Sequence, residues 1–424
     1  MDLIGLLVVG LAILAFGGVS KRAERSVLTP PMAFVLVGLL AGPLGFGLVE
    51  FSVEEPFVHL LAEVTLVLVL FIDASRISVK RLRSEHDLPV RLLSFGLPVT
   101  ILAGALAANL IFEALTIWEC LVLAAILAPT DAALGLAVIN DKRVPVRIRQ
   151  TLNVESGLND GIALPVFLIF LSFAGAPAEG MGTAFWARFV ALQLILGPLI
   201  GLAAGGLGGR FIHAASESGW MNHTFQALSG LGLAFVAFAG AELVGGNGFI
   251  SAFVAGLTFG NSSRAVCTCL WDFGEEEGQL LALFVFIILG AVLVPEAVDG
   301  AGWLVLVYAA LSLTVVRMVP AALALIGTGV SRQTSVFLGW FGPRGIASIV
   351  FVLLVLEHPG IRGGHLIFSV VVLTVLLSVF AHGASAYPGA SWYAARTQPK
   401  DEGDSRAEHR PVSEMPVRIS QGRK

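Results

Sequence analysis

Thirteen mostly apolar stretches, each close to the length that crosses a bilayer, divide this chain almost end to end. They run 3–20, 27–49, 57–75, 92–113, 116–140, 151–175, 187–209, 224–240, 245–262, 279–298, 302–328, 334–357 and 363–385. About 20 apolar residues of helix span the hydrocarbon core, and only helices or closed barrels satisfy their backbone there. The pattern therefore predicts an all-α polytopic membrane protein of 13 transmembrane helices. Composition agrees. The 424 residues are 56% hydrophobic and 13% charged, with a mean hydropathy of +0.86, against roughly 25% charged in soluble domains. The first stretch lacks a basic leader and a small-residue cleavage pattern, so it reads as a retained helix.

Of the 26 Lys and Arg, 22 fall in loops and tail on one side of these spans. Arg188 and Arg362 lie on the other side, and Arg317 and Arg344 lie within spans. The positive-inside rule places the C-terminus in the cytoplasm and the N-terminus outside, in a multi-pass inner (cell) membrane protein. Residues 1–385 read as the transmembrane domain and 386–424 as a disordered cytoplasmic tail. The net charge of −4 says little about partners, because the charges are segregated across the membrane; the bilayer is the expected partner and no nucleic acid is expected. Cys120 lies in a span, while Cys267 and Cys269 lie in a cytoplasmic loop, so free thiols are expected and no cofactor is implied. No histidine sits mid-span in this assignment, which leaves any proton transfer to carboxylates.

The sixth span carries Glu155-Ser156-Gly157-Leu158-Asn159-Asp160. Ionisable groups inside a membrane are expensive and default to an ion or proton pathway. At about 100° per residue, Glu155, Asn159, Ser156 and Asp160 share one sector of about 140°. Gly157 and Gly161 face the other way, where a neighbouring helix can approach closely.

Two further spans are broken. The fifth contains Pro129-Thr130-Asp131, where proline frees backbone carbonyls. The twelfth contains Gly342-Pro343-Arg344-Gly345, and a mid-span arginine needs an acidic partner or a wet cavity. Asp131, Asp160 and Arg344 each lie about 14 Å from the inner end of their span, near the midplane. The two broken spans are seven apart and so cross in opposite directions. Interrupted helices in inverted halves are the usual mark of a secondary transporter's binding site.

These residues resemble the monovalent cation/proton antiporters, in particular the NhaP-type branch related to eukaryotic sodium/proton exchangers. The similarity rests on APTDAA (128–133), NVESGLNDG (153–161) and FGPRGIAS (341–348), with weaker matches at LFIDASRI (70–77), RLLSFGLPVT (91–100) and AGLTFGN (255–261). The resemblance implies inverted repeats with two crossed, unwound helices (spans 5 and 12). It implies a homodimer whose mobile core, about 92–175 and 302–385, moves against dimerisation helices. Exchange of Na⁺ or Li⁺ for H⁺ by alternating access is the implied activity, serving pH and sodium homeostasis. Carried over by position, Asp160 is the ion and proton carrier. Asp131, Ser156 and the Thr130 carbonyl complete the Na⁺ shell, with Glu155 nearby. Arg344 pairs with Glu155, and Asn159 supports the site.

The ligand chemistry fits independently, since Na⁺ is a hard cation that takes oxygen ligands. With Asn159 neutral and Glu155 balanced by arginine, one carboxylate is left to alternate between one proton and one cation, which predicts electroneutral exchange. Glu63 and Asp73 are candidate linings of the outer and inner entries. Arg317 reads as structural, and Asp272, Glu275, Glu276 and Glu277 as a solvated acidic loop. A K⁺/H⁺ antiporter uses the same ligand types. An intramembrane aspartyl protease built on Asp131 and Asp160 is the alternative from another class, but it leaves Glu155, Asn159 and Arg344 without a role.

Overall fold

A computed structural model of the chain describes residues 3–23, 26–49, 52–85, 87–175, 183–262, 264–358, 360–397 and 406–412. The chain runs from α1 (Leu3–Ala23) through α2 (Pro30–Ala41) and α3 (Pro56–Arg76) to the short α4 (Val79–Glu85) and α5 (Asp87–Arg91). A π turn joins α5 to α6 (Leu97–Ile111). An interrupted pair follows, α7 (Ile117–Leu127) and α8 (Ala132–Ile139), and then the long α9 (Val146–Gly175). Next come α10 (Thr183–Ala203), α11 (Gly209–Glu217), α12 (His223–Leu243), α13 (Gly248–Ser262), α14 (Arg264–Ile288) and α15 (Val294–Asp299). The last third holds α16 (Trp303–Leu313), α17 (Val315–Ala324), the second interrupted pair α18 (Arg332–Trp340) and α19 (Ile346–Leu356), and α20 (Gly364–Thr397).

Every predicted stretch falls on helix. By length and apolarity, ten helices among the described residues can cross a membrane, and α2 and α19 are shorter apolar helices. The count of thirteen is therefore not established: the first broken pair qualifies as one span, whereas α2, α13 and the halves of the second broken pair are too short to qualify alone.

Local sequence sets the boundaries that matter for the site. Thr116 and Glu119 form a reciprocal capping box at the start of α7, which satisfies two of its free backbone donors. The other carboxylate oxygen of Glu119 accepts from Gly363 N–H at 2.7 Å, tying the start of α7 to the start of α20. Between α16 and α17, Thr314 leaves the helical region (φ −111°, ψ −94°), a break the sequence reading did not foresee.

α3 lies against α13 so closely that a Cβ on Gly256 or Gly260 would collide with the backbone carbonyls of Phe71 and Ser75. Small residues are what permit such approach when lipid supplies no hydrophobic drive between helices. Gly161 of α9 likewise leaves room for the Phe253 ring of α13, as its position on the helix predicted. On the other side of α9, Phe167 stacks on Phe351 of α19 at 4.9 Å.

One boundary differs from expectation. Residues 386–397 are not tail but the end of α20, which runs 34 residues. The segment AYPGASWYAAR is too polar to read as membrane, yet it lacks carboxylates and packs tightly: Tyr393 stacks on Phe337 at 4.2 Å and hydrogen-bonds Thr334. Residues 406–412 also adopt a defined path, with a 3₁₀ turn at Ala407–His409. Arg147 of α9 donates to the Ala407 carbonyl there. The remainder of the tail lies outside the described residues.

Candidate ion-binding site

The two helix breaks meet. Asp131 N–H donates to the Pro343 carbonyl at 2.8 Å, so the extended segment of one pair crosses that of the other. Broken helices leave unsatisfied donors at each new N-terminus, and the Asp131 carboxylate serves two of these at once. Its Oδ1 accepts from Ala133 N–H (2.6 Å) and Leu134 N–H (3.4 Å) at the start of α8. Its Oδ2 accepts from Ile346 N–H (2.8 Å) at the start of α19. A Cβ on Gly345 would run into this carboxylate, so the bare glycine is part of the cap. The freed Ile126 carbonyl accepts from the Ser348 hydroxyl at 2.8 Å, and Arg344 N–H donates to Ser378 Oγ at 2.7 Å.

α9 passes beside this crossing. Asn159 donates to Thr130 Oγ1 at 2.6 Å, and the Thr130 and Ser156 hydroxyls are 3.0 Å apart. The predicted polar stripe on α9 and the Thr130 break are thus one network, joined through the Thr130 hydroxyl. Asp160 follows Asn159 in the same helix and is 9% exposed. Asn159 Oδ1 and Glu155 Oε2 are buried with no hydrogen-bond donor among the described residues. Such oxygens normally have partners, and a hard cation is one that would suit them.

The expected ion pair is different from the one observed. Glu155 Oε1 pairs with Arg317 Nη2 at 2.6 Å, not with Arg344, and both side chains are all but fully buried. Arg317, read from sequence as structural, sits one turn past the Thr314 break in α17. Its route to Glu155 passes Gly342, where a Cβ would lie 2.5 Å from the guanidinium Nε. Gly342 is therefore the sequence signal for this pair, visible only once the crossing is known. Arg344 turns back on its own break, donating from Nη1 to the Gly342 carbonyl at 2.7 Å. It remains within electrostatic reach of Arg317, Glu155 and Asp160.

A second residue was also missed. Because α20 continues to Thr397, His382 lies mid-helix and is 1% exposed. Its Nε2 is 2.8 Å from the Trp340 carbonyl that ends α18, and its Nδ1 is 2.9 Å from the Ser378 carbonyl. His382 thus buttresses the second break.

Two cavities flank the crossing. One, of about 990 Å³, opens on the face bearing the basic loops. It is lined by Asp73, Asn140, Arg143 and Tyr387, and reaches Ala133 and Leu134, just past Asp131. The other, of about 610 Å³, lies at the opposite end among Glu63, Glu296, Glu357 and His365. Asp73 and Glu63 line these two cavities, one each. The side chains of Asp272, Glu275 and Glu276 lie outside the described residues.

Residues 10–392 match the model of the transmembrane sodium/hydrogen exchanger family. The chain belongs to that family. Its members are transporters, which removes the protease alternative. The chain is 26% identical over 388 residues to a K(+)/H(+) antiporter NhaP from Alkalimonas amylolytica, covering 91% of this chain and 65% of that one. It is 25% identical over 399 residues to a K(+)/H(+) antiporter NhaP2 from Shewanella sp. (strain MR-4), covering 94% and 68%. The chain thus spans about two thirds of the length of these relatives. In fold it is similar to the sodium proton antiporter MjNhaP1 from Methanocaldococcus jannaschii at pH 8, with a TM-score of 0.75, 20% identity, and 92% of this chain and 100% of that one covered.

Proposed function

We propose that the chain exchanges Na⁺ or Li⁺ for H⁺ by alternating access, with Asp160 as the shared carrier. The observation that carries this reading is the position of Asp160. It is a buried carboxylate on the helix tied to the crossed breaks, beside a Glu155 already balanced by Arg317. Competition of a proton and a cation for one carboxylate couples their movement, provided the empty charged site does not cross.

The rest of the shell follows from the hydrogen bonds. Ser156 and Thr130 bring hydroxyl oxygens, and Glu155 Oε2 and Asn159 Oδ1 bring unsatisfied ones. Asp131 is engaged by three backbone donors and so shapes the site more than it carries charge across. With Glu155 paired and Asn159 neutral, one carboxylate is left to cycle, and exchange is electroneutral, one for one.

The basic loops face the cytoplasm, so the larger cavity is the inner mouth and the protein is open inward. The N-terminus lies outside, the membrane is the cell (inner) membrane, and the active unit is a homodimer. Helices in 92–175 and 302–385 form the moving core. A second reading, K⁺ in place of Na⁺, is favoured by the bacterial relatives, which are K(+)/H(+) antiporters. The test is cation-driven proton flux in proteoliposomes across Na⁺, Li⁺ and K⁺, with the membrane potential clamped at zero or set by an ionophore. The proposal expects Na⁺ and Li⁺ responses that ignore the imposed potential. A K⁺-only response selects the second reading, and a potential-dependent rate overturns one-for-one exchange.

A further inference from the structure

His59 lies at the outer end of α3 with both ring nitrogens held. Nε2 is 2.9 Å from the Val53 carbonyl, and Nδ1 is 2.8 Å from Glu357 Oε1. A backbone carbonyl and a carboxylate both accept. The two contacts are hydrogen bonds together when both ring nitrogens carry a hydrogen, or when Glu357 carries the second proton. With neither, one ring nitrogen faces an oxygen with no hydrogen between them.

Glu54, Glu63 and Glu296 line the same cavity as the pair. Glu242 of α12 acts on Glu63 from behind. Against them stand His365, which lines the cavity, and His358 and Arg362 in the loop that follows Glu357. His358 is turned inward on its own helix, with Nδ1 3.1 Å from the Leu354 carbonyl. Acidic groups therefore dominate the near field.

Position gives the pair its consequence. His59 belongs to α3, which is pinned to α13 by the close approach at Gly256 and Gly260. Glu357 closes α19, the distal half of the second broken pair, whose other end is capped by Asp131. The pair lines the cavity at the end opposite the larger opening.

We propose that His59 and Glu357 form a second proton-binding site, on the outer face, and that its proton ties α19 to α3 to hold the outer mouth closed. The gating consequence rests on the alternating-access reading; the proton site itself does not. Loss of the proton from the outer side leaves Nδ1 facing a carboxylate with no hydrogen between them. The outer mouth then opens more readily, and external alkali becomes an activating signal distinct from competition at Asp160.

Two measurements test this on the full-length protein in liposomes. In the first, hydrogen exchange of segments 52–63 and 354–366 is followed by mass spectrometry from pH 6 to 8.5, corrected for intrinsic exchange rates. The wild type should lose protection there as pH rises. His59→Gln and Glu357→Gln should show little change, and His59→Arg, which keeps a donor for each acceptor, should stay protected throughout. A pH-independent wild type, or a His59→Gln variant with the full wild-type response, overturns the proton site.

In the second, initial exchange rates are compared at outer pH 8.5 and 6.5 in right-side-out vesicles. The wild-type ratio should exceed that of His59→Gln by roughly fivefold, the scale of a partly exposed charged contact. Equal ratios overturn the gating role even if the first measurement succeeds. If no variant responds to any cation, the antiport reading fails instead, while the exchange data still decide the proton site.

Discussion

Arg317 Nη2 lies 2.6 Å from Glu155 Oε1, a pair formed between the turn after one helix break and the helix that carries Asp160. Both side chains are 3% exposed or less. Removing one partner of a buried pair strands a charge, at a cost of about 3–5 kcal/mol. Arg317→Ala should therefore lower the thermal midpoint far more than Asp160→Asn, and replacing both Arg317 and Glu155 by Gln should recover part of the loss. A thermal unfolding series in detergent measures this. An Arg317→Ala protein as stable as wild type would remove the pair from the account.

Asp131 is expected to behave as a cap. Asn at this position offers one acceptor where the two new helix ends need acceptors on both oxygens, and its amide would face a backbone donor. The loss should be about 1–3 kcal/mol. Gly345→Ala should be at least as damaging, because the new methyl displaces the same carboxylate. Thermal stability separates the two positions from Asp160, where the Asn variant should stay folded.

Thr130 makes a different prediction. Its hydroxyl orders Ser156 and Asn159 without closing a helix end. Thr130→Val keeps the volume and removes the hydrogen bonds, so the apparent KM for the cation should rise about tenfold, and the stranded Asn159 amide should cost about 1–3 kcal/mol of stability. Cation titrations of exchange rate report this directly. An unchanged KM would place the cation elsewhere.

The loop joining α8 to α9 carries a testable pH response. Burial pushes the Asp141 carboxyl up, but hydrogen bonds and charge from Arg143, aided by Arg149, outweigh it and hold the group below the usual carboxylate range. A carboxylate depressed in the folded state stabilises above the ordinary aspartate range, and that contribution fades as pH falls through the lowered value. Arg143 also donates to Ser391 at 2.7 Å and lies over the Tyr387 ring. Hydrogen exchange of residues 139–146 should thus be constant from pH 8 to 5 and loosen only in stronger acid. Arg143 is 40% exposed on its side chain, so the effect is small, below about 1 kcal/mol. Arg143→Ala should raise exchange there at neutral pH.

Much of the site could be read from the sequence because breaking a helix inside a membrane requires conspicuous residues. Pro129-Thr130-Asp131 and Gly342-Pro343-Arg344-Gly345 announced both interruptions, and charge at one depth announced that they meet. Depth, however, carries no information about rotation around a helix axis. Asp160 and Arg344 share a level, yet the partner of Glu155, further along the same helix, is Arg317, brought round by a Thr314 break with no proline or glycine to mark it. The end of α20 was lost for a related reason. Hydropathy reports where a helix leaves lipid, and this helix continues past that point on Tyr393 and Phe337. Hydropathy puts His382 near a span end, whereas it is buried mid-helix.

The central claim is that Asp160 is where proton and cation compete. Vesicles carrying wild-type protein or Asp160→Asn, matched for folded protein, are given a pH gradient and then Na⁺, Li⁺ or K⁺. The account predicts that the gradient collapses with wild type and persists with Asp160→Asn. Collapse by the Asp160→Asn protein at the wild-type rate would contradict it.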